Sequence, residues 1–246
     1  FSENALCNTY KEFIEGHKQN IYEFRSDEIL TQNSRKFFSF LYNALVKADW
    51  WSSIGLEVPH IKPAFEIIDP QNFLISNKSE FHKYIYEKKE FKENILLELP
   101  TGFGKTFLGL AYALKTKRKR IFYTLPVTTI IEDVFENSLK KYISENQLEW
   151  YTSKYLVLKS LKKGSLEETE YLEARYFEKP IIVTTLDQLL LAFLSVDRYP
   201  LKEAMIYDSC IILDEPQLYS PLMLFLFSEF LKDYKNDLNV IVMTAT

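Results

Sequence analysis

The strongest constraint on the fold is a change of rhythm near Ile95. From there, six short apolar runs alternate with amphipathic stretches: ILLELP (95–100), RIFYTLP (120–126), YLVLKS (155–160), PIIVTT (180–185), CIILDE (210–215) and NVIVMTAT (239–246). Runs apolar at nearly every position suit strands buried on both faces, and the stretches between them supply the covering helices. The pattern predicts a doubly wound, mainly parallel α/β sheet, in which ligands gather at the carboxyl ends of the strands. Helices are expected over 105–114, 129–143, 167–176, 187–195 and 221–234, the last with Ser220 as N-cap and proline at its first position. Upstream, residues to about Gly55 read as helical, with Phe38, Leu41 and Leu45 at helical spacing and Ala48 beyond them. Pro59, Pro63 and Pro70 then punctuate a connector. The expected division is a helical segment over 1–58 and the α/β domain over 59–246.

Composition narrows the function. A 246-residue chain that is 47% hydrophobic can bury one large core. Its net charge of −4 gives no overall basic field, so nucleic-acid contacts must come from local patches or backbone amides. The basic run KTKRKR (115–120) falls between a helix and the next strand, away from the ligand edge, and reads as a solvated turn. Cys7 and Cys210 lie far apart and match no zinc spacing, which suits two reduced thiols. No signal peptide and no run of membrane-spanning length is present, so a cytoplasmic protein with no membrane partner is expected. The chain begins at Phe1 and ends at Thr246 directly after an apolar run, and is therefore expected to be a piece of something longer.

Between the first apolar run and the next helix lies Pro100-Thr101-Gly102-Phe103-Gly104-Lys105-Thr106. The phosphate-loop template places a glycine five residues before Gly104, where this chain has Leu99. The remaining features are in place. Gly102 and Gly104 permit torsions that a Cβ disfavours, and the amides of Thr101, Gly102, Phe103 and Gly104 can face a phosphate at a helix N-terminus. Lys105 is expected to reach the β- and γ-phosphates, and Thr106 to offer its hydroxyl to Mg²⁺. The run Ile211-Ile212-Leu213 ends in Asp214-Glu215. Alone, such a pair reads equally as two solvated acids. With a phosphate loop in the same sheet, Asp214 is expected to hold Mg²⁺ and Glu215 to polarise the attacking water. The chain lacks the Asn-Lys-x-Asp guanine reader of GTPases and the Ser-Gly-Gly signature of ABC ATPases. It carries instead Met243-Thr244-Ala245-Thr246 after the next strand.

Pro-Thr-Gly-x-Gly-Lys-Thr, then Asp-Glu-x-x, then Thr-Ala-Thr resembles the first RecA-like domain of a superfamily 2 helicase, over about 79–246. That group places Ala or Pro at the start of the loop, so the missing glycine fits. Two further stretches resemble the CRISPR-associated helicase–nuclease of type I systems. One is Thr184-Thr185-Leu186-Asp187-Gln188, and the other is Ala48-Asp49-Trp50, similar to the last motif of its HD nuclease domain. The resemblance implies an ATP- and Mg²⁺-dependent motor moving 3′ to 5′ along single-stranded DNA. It also implies recruitment by an RNA-guided CRISPR surveillance complex and closure by a second RecA-like domain. By the same resemblance Pro126, Thr128, Thr184 and Thr185 contact nucleic acid. Gln217 couples to Thr244 and Thr246, and Asp49 is a ligand of a divalent transition metal in a complete nuclease.

The chain also departs from the pattern. His17, His60 and His82 are not followed by Asp, so no complete HD nuclease is encoded. The window Glu80-Phe81-His82-Lys83-Tyr84 has no adenine-reading glutamine, leaving Tyr84 or Phe81 to stack on a base. Thr128 stands where an arginine is common, so strand contacts would be hydroxyl and amide. Two other classes stay open: an RNA-directed or restriction-type motor with the same motifs, and a non-catalytic nucleotide-binding adaptor.

Overall fold

The computed structural model describes residues 32–53, 55, 63–67, 87, 94–155, 168–196 and 199–245. Helix α1 (Gln32–Ser53) and a short helical turn α2 (Ala64–Ile67) precede the sheet. The order is then β1 (Asn94–Glu98), α3 (Lys105–Lys115), β2 (Arg120–Leu125), α4 (Thr128–Asp133), β3 (Leu148–Tyr151), α5 (Glu168–Arg175), β4 (Ile181–Thr185), α6 (Leu186–Phe193), α7 (Tyr199–Ile206), β5 (Ser209–Asp214), α8 (Pro221–Asp233) and β6 (Leu238–Thr244). All six strands are parallel, in the order β1-β6-β5-β2-β4-β3. The fold is therefore the doubly wound parallel α/β sheet that the apolar runs predict.

The central strands β2, β4 and β5 are buried almost end to end, as strands covered on both faces must be. β1 lies at an edge and alternates, with Ile95 and Leu97 inside and Leu96 exposed. α3 lies close against β6: a Cβ on Gly109 would come within 2.3 Å of the Met243 sulfur. α8 begins as expected, with Ser220 accepting a hydrogen bond from the Met223 N–H at 3.3 Å and Pro221 in the first turn.

Four features differ from expectation. The edge strand expected at 155–160 lies earlier, at Leu148–Tyr151, while 156–160 fall outside the described residues. Glu149 interrupts that apolar pattern, yet it is buried and its carboxylate accepts the Trp150 N–H at 2.9 Å. The helix expected over 129–143 passes from α4 into a π turn (Val134–Ser138) and a 3₁₀ turn (Leu139–Lys141). Ile131, Phe135, Leu139 and Ile143 are all buried at four-residue spacing. An α-helix of about 3.6 residues per turn would drift off that face, and the wider turn holds it. Helix α7 was not expected, because it buries Lys202 and Glu203.

The fourth difference concerns α1. Its apolar stripe is exposed, with Leu45 at 63%, whereas Ser39 and Asn43 are buried. The helix is held by polar contacts. Arg35 Nε meets Glu203 Oε1 at 2.7 Å, and its other nitrogens reach Ser195 Oγ at 3.1 Å and the Ala192 carbonyl at 3.2 Å. Glu203 has no exposed surface and also accepts from Ser39 Oγ at 2.7 Å, from Tyr207 and from Tyr234. Lys47 pairs with Glu178 at 2.7 Å. Of the helical segment expected at 1–58, α1 lies within the described residues and packs along α7, while residues 1–31 lie outside them. Among the described residues no helix is long and apolar enough to cross a membrane.

Two outcomes follow from this packing. Arg35→Ala leaves the Glu203 carboxylate buried without its cation, and denaturant unfolding should show a loss of about 3 kcal/mol. An unchanged midpoint would refute the lock. Burial pushes the Cys210 thiol up to about 12, outweighing Thr116 and Arg118, which act to lower it. The thiol stays neutral at pH 8, so mass spectrometry should find Cys210 unmodified by iodoacetamide in the native protein and modified after unfolding.

Candidate functional site

The phosphate loop leaves β1 still tied to β6, since the Leu99 N–H donates to the Thr244 carbonyl at 3.2 Å. The chain turns at Pro100, whose carbonyl accepts from the Phe103 N–H at 3.3 Å. Gly102 and Gly104 both have left-handed backbones, with φ +85° and +72°. No atom lies within 4 Å of a Cβ built on Gly102, so torsion rather than crowding requires glycine there, and the concave mouth is open. Thr101, Gly102 and Phe103 are exposed, and Gly104 caps α3. The cap makes no side-chain hydrogen bond, and the positive end of the α3 dipole lies at the mouth, as an anion-binding helix start requires.

Asp214 and Glu215 leave β5 at the same edge. Lys105 Nζ lies 2.8 Å from Glu215 Oε1. Glu215 has a left-handed backbone, φ 48° and ψ 61°, and its N–H donates to the Met243 carbonyl at 2.9 Å. Its other carboxylate oxygen accepts from Gln217 Nε2 at 2.6 Å and from the Ala245 N–H at 3.2 Å. The Thr244 hydroxyl donates to Gln217 Oε1 at 3.1 Å. The link expected between Gln217 and the Thr-Ala-Thr stretch is present at Thr244, while Thr246 lies outside the described residues.

The two carboxylates are held differently. Burial raises the Asp214 carboxyl above its ordinary range, only partly offset by a hydrogen bond from Tyr123. Burial acts the same way on Glu215, but hydrogen bonds from Lys105, Gln217 and Ala245 outweigh it and hold Glu215 low. Tyr123, on β2, has a fully buried side chain. Its hydroxyl is 2.7 Å from Asp214 Oδ2 and 3.4 Å from Thr106 Oγ1. Burial and the Asp214 charge push this phenol well above 10, so it remains protonated and able to donate. Sequence reasoning missed Tyr123, because one aromatic in an apolar strand reads as core.

These groups fit Mg²⁺. Thr106 Oγ1 and the Asp214 carboxylate are hard oxygen donors that both approach one phenol oxygen, beside an open phosphate mouth. Asp49 is exposed on α1, and among the described residues no group of three or more His, Cys, Asp and Glu is placed to hold a metal. The adenine window 80–84 lies outside the described residues.

The expected nucleic-acid residues divide. Pro126 and Thr128 are half-buried at the end of β2 and the start of α4, with Val127 exposed between them. The Thr184 side chain is fully buried and its hydroxyl donates to the Tyr151 carbonyl at 2.7 Å, bracing β4 against β3. Thr185 is also buried, at the N-cap of α6. Asp187 is exposed, and Gln188 turns inward to accept from Lys202 Nζ at 3.3 Å.

Comparison with known proteins accords with this arrangement. The CRISPR-associated nuclease/helicase Cas3 of Methanothermobacter thermautotrophicus is 31% identical over 214 residues, covering 84% of this chain and 26% of that protein. Crystal structures of T. fusca Cas3 and T. fusca Cas3-ATP match with TM-scores of 0.61 and 0.60 at 20% identity, over 77% of this chain and 23% of theirs. The chain spans about a quarter of the length of these relatives. The T. fusca likeness, at 20% identity, concerns the fold alone. The sequence profile of the DEAD/DEAH box helicases matches residues 79–246, the stretch that holds the phosphate loop, Asp214, Glu215 and Thr244, and the chain belongs to that family.

Proposed function

We propose that this chain is the nucleotide-binding half of an ATP-driven nucleic-acid motor that tracks 3′ to 5′ along single-stranded DNA in CRISPR type I interference. The observation that carries the reading is the meeting of Lys105, Glu215, Gln217 and Thr244 at one sheet edge, with Thr106 and Asp214 beside them. The CRISPR assignment rests on the 31% identity to a protein named as a Cas3 nuclease/helicase. A cytoplasmic setting and recruitment by an RNA-guided surveillance complex belong to the same reading.

The mechanism follows from the contacts. The loop amides and the α3 N-terminus receive the phosphates, and Lys105 exchanges Glu215 for the β/γ oxygens. Glu215, released from that ion pair, orients the attacking water and accepts its proton. Thr106 and Asp214 would hold Mg²⁺, which supplies charge neutralisation for the phosphoryl oxygens when bound. Gln217 and Thr244 link the acidic turn to the end of β6. A second RecA-like domain supplies an arginine to the γ-phosphate, a contribution of about 10³–10⁵ in rate in comparable enzymes. Pro126, Val127 and Thr128 offer backbone and hydroxyl contacts to the track, so binding should weaken only slightly with salt.

Glu215→Gln should keep Mg-nucleotide binding and lower turnover by about 10²–10⁴-fold, measured as phosphate release with single-stranded DNA present. Lys105→Ala should lose both binding and turnover. Equal turnover in Glu215→Gln and the parent would overturn the assignment of Glu215. In the 246-residue chain, phosphate release should be nearly absent with or without single-stranded DNA. A brisk, DNA-stimulated rate lost in Lys105→Ala would refute the half-site reading while supporting the nucleotide site. Greater stimulation of the full-length protein by RNA than by DNA would redirect the track assignment.

A further inference from the structure

Tyr123 is placed where no packing argument requires a hydroxyl. Its ring occupies the core position on β2 opposite Ile212 of β5 and Val183 of β4. A phenylalanine would fill that volume equally well. The hydroxyl instead emerges beneath the ligand edge and contacts Asp214 Oδ2 at 2.7 Å and Thr106 Oγ1 at 3.4 Å. These two side chains come from different elements, the start of α3 and the end of β5. The phenol touches both.

We propose that Tyr123 is a positioning residue of the metal–nucleotide site, its phenol fixing the Asp214 carboxylate and the Thr106 hydroxyl in the relative placement that a divalent cation needs. The proposal rests on the reading of Thr106 and Asp214 as the metal-holding groups. A bond of 2.7 Å to one carboxylate oxygen fixes the rotation of the Asp214 carboxylate. β2 is hydrogen-bonded along its length to β5, so the phenol and Asp214 belong to one rigid frame. Groups that orient metal ligands from behind change metal affinity by about 10–100-fold when removed. Tyr123 is fully buried and its hydroxyl meets the site through Thr106 and Asp214, so its effect should appear in metal dependence.

The test uses full-length protein and a fluorescent, non-hydrolysable ATP analogue titrated with Mg²⁺. Tyr123→Phe keeps the ring and removes the hydroxyl. The Mg²⁺ concentration giving half-maximal analogue binding should rise about 10-fold or more, while binding in EDTA stays as in the parent. Tyr234→Phe is the control for loss of a buried phenol elsewhere: its hydroxyl bonds to Glu203, so it should lower the melting temperature and leave the Mg²⁺ midpoint unchanged. A Tyr123→Phe protein with the parental Mg²⁺ midpoint would overturn the proposal and make Tyr123 a core residue only. A parent protein whose analogue binding ignores Mg²⁺ altogether would instead overturn the underlying site reading.

Discussion

The site depends on β6 lying between β1 and β5. Its register aligns Glu98 with Thr244 and Asp214 with Met243, so three strand ends finish level at one edge. Neighbouring strands are about 4.8 Å apart, which separates the ends of β1 and β5 by about 10 Å. That gap suits the long stem of Lys105, which crosses it to reach Glu215. It also lets β6 serve as more than a spacer. The Met243 carbonyl, Thr244 hydroxyl and Ala245 N–H all bond to the Glu215–Gln217 turn. A strand order with β1 beside β5 would bring the loop and the acids together but leave that turn without these partners.

Much of this was legible in the residues because buried parallel strands are written as uninterrupted apolar runs. ILLELP, RIFYTLP, PIIVTT, CIILDE and NVIVMTAT each cover all or most of a strand of the sheet. The phosphate loop and the acidic pair were legible because their chemistry permits few alternatives at their positions. The failures share one cause, which is polar groups used inside. Glu149 breaks the pattern of β3, Lys202 and Glu203 hide α7, and Ser39 and Asn43 form the buried side of α1 while its phenylalanines and leucines face outward. Burial of such groups is set by partners remote in sequence: Glu203 meets residues 164 and 168 positions away in Ser39 and Arg35. No local pattern announces a contact of that separation. Thr184 is a further polar group used inside, its buried hydroxyl donating to the adjacent strand.

Asp214 and Glu215 show how adjacent carboxylates acquire different proton affinities. One is sequestered beneath the loop against a protonated phenol, and its carboxyl is raised by burial. The other, one residue further, turns outward through a left-handed backbone and is held low by a lysine and two other donors. Divergent environments for neighbouring acids are how one site provides groups of different proton affinity.

The backbone of Glu215 is the costly part. A non-glycine residue with φ 48° immediately before Pro216 stores strain of about 1–3 kcal/mol. It persists because its N–H, both carboxylate oxygens and the following turn are all engaged. Three of those engagements come from the end of β6 and Gln217, and one from Lys105. Any anion that draws Lys105 away removes the only cationic partner among them. The Glu215 side chain then keeps its bonds from the Ala245 N–H and Gln217, with Gln217 itself bonded to Thr244. Lys105 at the phosphate loop and Thr244 at the end of β6 are thereby joined through one carboxylate and Gln217.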